Sequence, residues 1–419
     1  MRLSTRPIYL AASLYLLICP GCGSSDGATL VDGNPAQPAP SENADSDGDT
    51  VDGLDADALV PEDEVQVGDA CASSVAAETF TSALCSCEDT SVAGYLRTRR
   101  FRAGDDPDAE EQLGGSVGVN RDYITAGYAD VGGSFSVAGT RDIAFGGFLN
   151  AGEDLRFNPA FNVAGAVDVE RDAFLASVVR AFGRVGIGRD LYTPLGAGFR
   201  GIAFVDVGGE EHTEAVNVEA PCACAPEQII NVAALVDAAQ NDNDNGEVGL
   251  GVDDLDVVVG IGTELTLPSG RYYVNQIGGV GAITLQVSGK VALFVRDDLL
   301  ATGLFRVNLD PDAEIDIFVK DNLVVTGAAR FGDSARPAAT RVYVGGTGDV
   351  AIAGATAFAG NLYAPTANVL VGGFGRVDGS LFGKNIVAAG FLSVGYDSSI
   401  TEPGDGCPPV EEGDVPRIR

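Results

Sequence analysis

The residues whose types could do chemistry are eight cysteines, one histidine and a dense run of aspartates. Beyond Cys19 and Cys22, six thiols remain: Cys71, Cys85, Cys87, Cys222, Cys224 and Cys407. Neighbours two apart on an extended strand lie ~6.5 to 7 Å apart at Cα, at or beyond the usual disulfide span. Cys85 and Cys87 are therefore poor partners, as are Cys222 and Cys224, and the two Cys-x-Cys pairs are expected to bond to each other across a loop of about 137 residues. A zinc site on the same four thiolates is the alternative, disfavoured by a spacing tighter than zinc sites use. Asp45, Asp47, Asp49 and Asp52 alternate so that their oxygens could converge on calcium, the one cofactor the sequence offers. Thr50 stands where an EF-hand loop needs glycine, and no glutamate closes the loop, so a solvated linker is the plainer reading. Asn241-Asp242-Asn243-Asp244-Asn245-Gly246 reads as a helix end and turn, or as a calcium loop with Val252 in place of its closing glutamate.

No catalytic constellation is legible. The single histidine, His212, lies in Glu210-Glu211-His212-Thr213-Glu214, without a second histidine for a metal pair or a Gly-x-Ser-x-Gly elbow. It reads as a solvated side chain. Carboxylate pairs around a β-helical groove, as in polysaccharide-degrading enzymes, remain the enzymatic alternative.

These residues sit in a chain of 419 residues with 56 Gly, 7% aromatics and no Trp, so burial must come from many small and branched side chains. Such a composition suits stacked short strands better than helix bundles. A formal charge of −34, from 60 acidic and 26 basic residues, disfavours nucleic acid and anionic lipid as partners. Between residues 7 and 96 there is no Lys or Arg, and residues 23–68 are too poor in large apolar side chains to bury a core.

Arg2 and Arg6 followed by an apolar run from Ile8 to Cys19 make a signal-peptide pattern, too short for a spanning helix of ~20 residues. The junction Gly21-Cys22-Gly23-Ser24-Ser25-Asp26 resembles a bacterial lipoprotein signal, with Cys19 where leucine is usual and Pro20 after it. The resemblance implies lipidation of Cys22 and membrane attachment through that lipid, at the outer membrane or cell surface. In an exported protein disulfides are the default state of paired thiols.

From about Gly114, short apolar alternations are punctuated by Gly and by Arg121-Asp122, Arg141-Asp142, Arg171-Asp172 and Arg189-Asp190, with Glu153-Asp154 between the second and third. The cadence returns at Val295-Arg296-Asp297 and Val319-Lys320-Asp321. A period near 18 to 20 residues is what a three-faced β-helix requires, with the dipeptides stacked at equivalent corners. Asp would turn the chain there, and Arg would pack along the surface. Behind Pro226, the apolar Ile229, Val232, Ala233 and Val236 fall at helical spacing, predicting one helix over 227–240.

Two later segments carry a resemblance to a family. Leu267-Pro268-Ser269-Gly270-Arg271-Tyr272-Tyr273 and Val291-Ala292-Leu293-Phe294-Val295 lead to Gly360-Asn361-Leu362-Tyr363-Ala364-Pro365-Thr366-Ala367-Asn368-Val369 and Gly379-Ser380-Leu381-Phe382-Gly383-Lys384. From about 262 to 400 the chain resembles DUF7305, a β-rich domain of exported bacterial proteins. The resemblance implies a surface location and a β-helical shape, and it brings no catalytic residues.

The expected class is all-β, a parallel β-helix in two β-rich segments with one intervening α-helix. The expected organisation is a signal peptide (1–22), an acidic linker (23–68), a Cys-containing solenoid-like segment (69–225), a helix and Asn/Asp-rich connector (226–261), a DUF7305-like β-helix (262–402) and a tail (403–419). The expected function is a non-enzymatic structural or adhesive surface lipoprotein whose partner is an extracellular polysaccharide or protein. A calcium-dependent binding module and a polysaccharide-degrading β-helix enzyme are the alternatives.

Overall fold

Three-residue strands with an inward-outward-inward burial pattern recur along the chain, as in Phe135–Val137, Leu149–Ala151, Leu155–Phe157, Phe161–Val163 and Val167–Val169. So short a strand is stable only if neighbours on both sides satisfy its backbone and cover its apolar side chains. Among the described residues every pairing between strands is parallel, and the chain coils as a three-faced β-solenoid. The structure, a computed structural model, describes residues 72–401 apart from 103–113, 202–203, 258–261, 280, 302, 326–327 and 354–356. The described residues fall within one compact unit.

The two β-rich segments stack into a single column, but not in chain order. The first strand, Leu84–Ser86, pairs on one side with Val117–Val119 and on the other with residues 381–383. From Leu84 the chain climbs through Phe135–Val137, Leu155–Phe157, Ala173–Leu175 and Leu191–Thr193 to Glu211–Thr213. It then returns along the outside of the solenoid and begins again at the far end. There it climbs through Gly270–Val274, Lys290–Val295, Glu314–Val319, Thr340–Val344 and 361–363 to 381–383, beneath its own first coil. This face has thirteen rungs, roughly 60 Å at the ~4.8 Å interstrand spacing. We call it the strap face, because the returning segment covers it. The second face, running from Thr263–Leu267 to Phe204–Val207, is the groove face; the third carries strands such as Leu299–Ala301 and Phe161–Val163.

Each corner has its own stacking chemistry. Between the groove and strap faces of the upper coils a side-chain oxygen accepts the next coil's backbone N–H. Ser134 N–H reaches Ser116 Oγ at 3.1 Å, Asp172 N–H reaches Asp154 Oδ1 at 3.3 Å, Asp190 N–H reaches Asp172 Oδ1 at 3.1 Å, and Glu210 N–H reaches Asp190 Oδ1 at 2.8 Å. Arg171 and Arg189 reach back over the preceding aspartates, Asp154 and Asp172, at 3.6 and 3.5 Å. Between the strap and third faces Asn and Asp do the same work. Asp122 N–H donates to Asp89 Oδ1 and Arg141 N–H to Asp122 Oδ1, at 3.1 and 3.2 Å. The Arg-Asp dipeptides therefore occupy two corners, not one set of equivalent corners. The 12-residue step from Asp142 to Asp154 is where the motif moves from one corner to the other. At the third corner glycines stack so closely that a Cβ on Gly127 would lie 1.5 Å from the Gly94 carbonyl oxygen.

Three α-helices lie outside the coil among the described residues, the last a single turn at Asn245–Val248 that begins inside the stretch read as a helix end and turn. Ala72–Thr79 (α1), which no periodicity announced, packs beside residues 398–401. The helix expected over 227–240 is shorter: Pro226–Gln228 is a 3-10 turn, Ile229 and Ile230 are not helical, and Val232–Ala239 (α2) starts where Asn231 accepts Ala234 N–H. The cause is tertiary, since Ile230 N–H donates to the hydroxyl of Tyr363 before the helix can begin. One hydrophobic core runs through both segments, with Phe135, Phe157, Leu293 and Leu362 all fully enclosed.

Candidate functional site

What a solenoid offers a partner is its outward column of side chains, one per rung, so a site is located by asking which face is left open. On the strap face the outward residues Tyr273, Phe294, Phe318 and Tyr343 are in strand register. Tyr363 and Phe382 extend the aromatic column, their rings 5.0 Å apart. These rings are buried, because α2 lies over the lower rungs and Phe80 over Tyr343 and Tyr363.

The returning strap is fixed by three asparagine clips, each a side-chain amide pairing both backbone groups of one residue. Asn158 holds Val218 with two bonds of 2.9 Å, Asn120 holds Cys222 at 3.0 and 2.8 Å, and Asn245 of the strap holds Tyr273 at 2.6 and 2.9 Å. Between the clips, disulfides join Cys85 to Cys222 and Cys87 to Cys224, with Cα separations of 5.8 and 5.5 Å. Gly118, next to Cys85 in register, leaves room for that bridge, since a Cβ there would meet Cys222 Sγ at 2.9 Å.

Other sequence candidates fall into structural roles. Asn243 donates from Nδ2 to the carbonyls of Ala239 and Gln240, ending α2, while Asp244 Oδ2 accepts Arg271 N–H at 2.7 Å. His212, read from sequence as solvated, is half-buried: its ring stacks on Tyr192 at 4.6 Å, and Tyr192 stacks on Phe174 at 4.5 Å. Arg156 lies over the far face of Phe174 at 4.0 Å. Cys22, Cys71, Cys407 and the aspartates Asp45, Asp47, Asp49 and Asp52 lie outside the described residues. Among the described residues, no three His, Cys, Asp or Glu side chains are grouped to hold a metal ion.

Among the described residues no helix or loop segment lies over the middle rungs of the groove face. The outward residues Phe391, Tyr95 and Tyr128 are in register, and Phe148 continues the column with its ring 4.9 Å from Tyr128. Tyr128 keeps 41% of its surface exposed. Two residues along each strand runs a polar column, Arg97, Asp130, Asn150 and Asp168. Beside it an open groove of about 390 Å³ is lined by Arg99, Asp130, Asn150, Asp168, Glu170 and Arg184. Gly132 and Gly152 also line it.

Asp130 is the hub. Its Oδ2 accepts Arg99 Nη2 at 2.6 Å and the Tyr95 hydroxyl at 2.9 Å, and Asn150 Nδ2 reaches its Oδ1 at 3.5 Å. Burial works to raise the Asp130 carboxyl, but the hydrogen bonds from Arg99 and Tyr95 outweigh it and hold the group below the usual carboxylate range. Burial, with the Asp130 carboxylate beside it, pushes the Tyr95 hydroxyl up to about 12. Further along, Arg184 Nη2 meets Asp168 Oδ1 at 2.6 Å. None of these residues carries a motif. The only signal in the sequence is the alternation Tyr95-Leu96-Arg97-Thr98-Arg99, whose partners lie one and two coils away.

Below this groove the strap, its helix and the whole lower stack form a contiguous stretch of sequence. Residues 208–402 match the DUF7305 family model. DUF7305, described as a domain of unknown function, thus covers the returning strap as well as the β-helical coils, and starts about 54 residues earlier than the motifs at 262–400 mark. Its last coil ends on the seam with Leu84–Ser86, so the preceding segment stacks directly onto it. No curated protein matches the chain. A solved structure described as an ice binding protein from an Antarctic bacterium, Flavobacteriaceae, aligns at 10% identity over 81% of this chain and 100% of its own, with a TM-score of 0.21. The fold described above rests on the strand pairing itself.

Proposed function

We propose that this protein is an exported, non-enzymatic surface module, attached through a lipid on Cys22, whose solenoid holds the groove face out as an adhesive surface. The observation that carries the reading is the unequal treatment of the faces. The strap and Phe80 bury the aromatic column of the DUF7305 stack, whereas the groove face keeps its aromatic and polar columns in register beside an open groove with Tyr128 exposed. Two disulfides suit an oxidising compartment. The acidic segment 23–68 would hold the solenoid away from a membrane. No helix among the described residues is long and apolar enough to cross one.

Fatty-acid labelling tests the anchor: wild-type protein should take up label and Cys22→Ser should not, and an unlabelled wild type would overturn it. For adhesion, the soluble Cys22→Ser protein should co-sediment with washed envelope and matrix material of the producing bacterium. Protein left wholly in the supernatant would overturn the adhesive reading.

A further inference from the structure

The charges in the groove are already matched within the protein. Arg99 is bonded to Asp130 and Arg184 to Asp168, both at 2.6 Å, leaving Glu170 as the remaining ionisable lining group. A ligand of high charge would have to break these pairs. A polyanion would also meet a chain of formal charge −34. What the paired groups retain is short-range hydrogen-bonding capacity. An ion-paired carboxylate keeps acceptor sites, and the Asn150 amide supplies both donors and an acceptor. Such groups recognise hydroxyls, which both donate and accept.

Beside the polar column stands the aromatic one, with Tyr128 exposed between Tyr95 and Phe148. Aromatic surface beside planar polar side chains is the combination that takes the apolar C–H patches and hydroxyl rims of a sugar together. Both columns step with the rung, at ~4.8 Å, so successive rungs set an aromatic ring beside a polar side chain, Tyr95 with Arg97, Tyr128 with Asp130 and Phe148 with Asn150. A ligand that profits from that repetition is itself a repeating polymer. We infer that the groove face binds a neutral, hydroxyl-rich polysaccharide lying across the rungs, with Tyr128 as its apolar contact and Asn150, Asp130 and Asp168 as its hydroxyl partners. This rests on the adhesive reading above and names its ligand class.

Affinity electrophoresis of the soluble Cys22→Ser protein tests it, in native gels containing dextran, a mixed-linkage β-glucan, mannan or galactomannan, with alginate as the polyanion. At least one neutral polymer should retard the protein. The retardation should weaken about tenfold in Tyr128→Ala and in Asn150→Ala. Asn162→Ala, on the third face, should bind as the parent does, and matching thermal midpoints certify that all variants are folded. Retardation by none of the four neutral polymers would overturn the inference. So would retardation by alginate alone, or binding unchanged in both groove variants. Failure here while the protein still co-sediments with envelope material removes the ligand class and leaves adhesion standing; failure of both removes the adhesive reading as well.

Discussion

The backbone N–H of Asp89 donates to Oδ1 of Asn385 across 2.9 Å, joining residues 296 apart in sequence at the seam where the chain's last coil meets its first. The bond is one step in a corner column that ignores the break in chain order. Asn368 donates to Asp349, Asn385 to Asn368, Asp89 to Asn385 and Asp122 to Asp89, at 2.9, 2.8, 2.9 and 3.1 Å. The seam therefore has the same chemistry as any other rung, and the two stacks behave as one column.

Asn385→Ala should remove two short bonds, the seam bond and the one to Asn368, along with a longer 3.4 Å contact to Glu88. Each such bond contributes ~0.5 to 1.5 kcal/mol net, so a loss of about 1 to 3 kcal/mol is expected. A denaturant titration with disulfides intact reads it as a lower midpoint. The slope should be unchanged if the column still unfolds as one unit.

The disulfides should be strongly non-additive. The first bridge closes a loop of 137 residues, restricting the unfolded chain by roughly 5 kcal/mol on the chain-entropy account. A second bridge two residues away closes little more. Cys87→Ser with Cys224→Ser should therefore cost much less than all four substitutions together. Equal costs for one pair and for both would contradict this.

Arg341 and Asp316 form a buried ion pair on the DUF7305 stack, both only 4% exposed. Arg341 also donates to the Ala338 carbonyl and to Glu314. Burial disfavours the charged guanidinium, but Asp316 outweighs it and raises its pKa. Arg341→Ala strands a buried carboxylate and should cost about 3 to 5 kcal/mol. Arg341→Met with Asp316→Leu should recover much of that, whereas Arg341→Met alone should not, as thermal unfolding would show.

The pH profile should fall at both ends through the groove face. Burial and Asp130 raise the Tyr95 hydroxyl to about 12 against ~10 unfolded. That stability is fully present below about pH 10 and is lost as pH rises through 12. Asp130 is held low by Arg99 and Tyr95 against the opposing effect of burial. Its share is present above ~pH 4 and is lost as pH falls through its folded pKa. Tyr95→Phe should flatten part of the alkaline fall in thermal midpoint; an identical slope would contradict the assignment.

How much of this was legible varies by residue. The solenoid class could be read because Arg171-Asp172 and Arg189-Asp190 repeat at the coil length and stack as Asp-to-backbone corners. The order of the coils could not. Nothing local to Leu84 or Leu381 says that they pair, since register between distant parallel strands is set by the whole stack. Asn120 and Asn158 look like ordinary loop residues, and their clips exist only because the strap passes them. The groove was missed for a related reason. Asp130 acquires its role from Tyr95 and Arg99, one coil earlier, and a carboxylate in an acidic chain gives no signal by itself.

The seam is the central structural claim, and engineered cross-linking measures it most directly. Ser91 and Val387 face each other in register on the third face. Neighbouring strands lie ~4.8 Å apart, within disulfide range. In the soluble Cys22→Ser protein, Ser91→Cys with Val387→Cys should form an intramolecular disulfide in high yield, found by non-reducing peptide mapping beside the two native bridges. Free thiols at 91 and 387, or a bond only between separate molecules, would contradict a column in which the last coil carries the first.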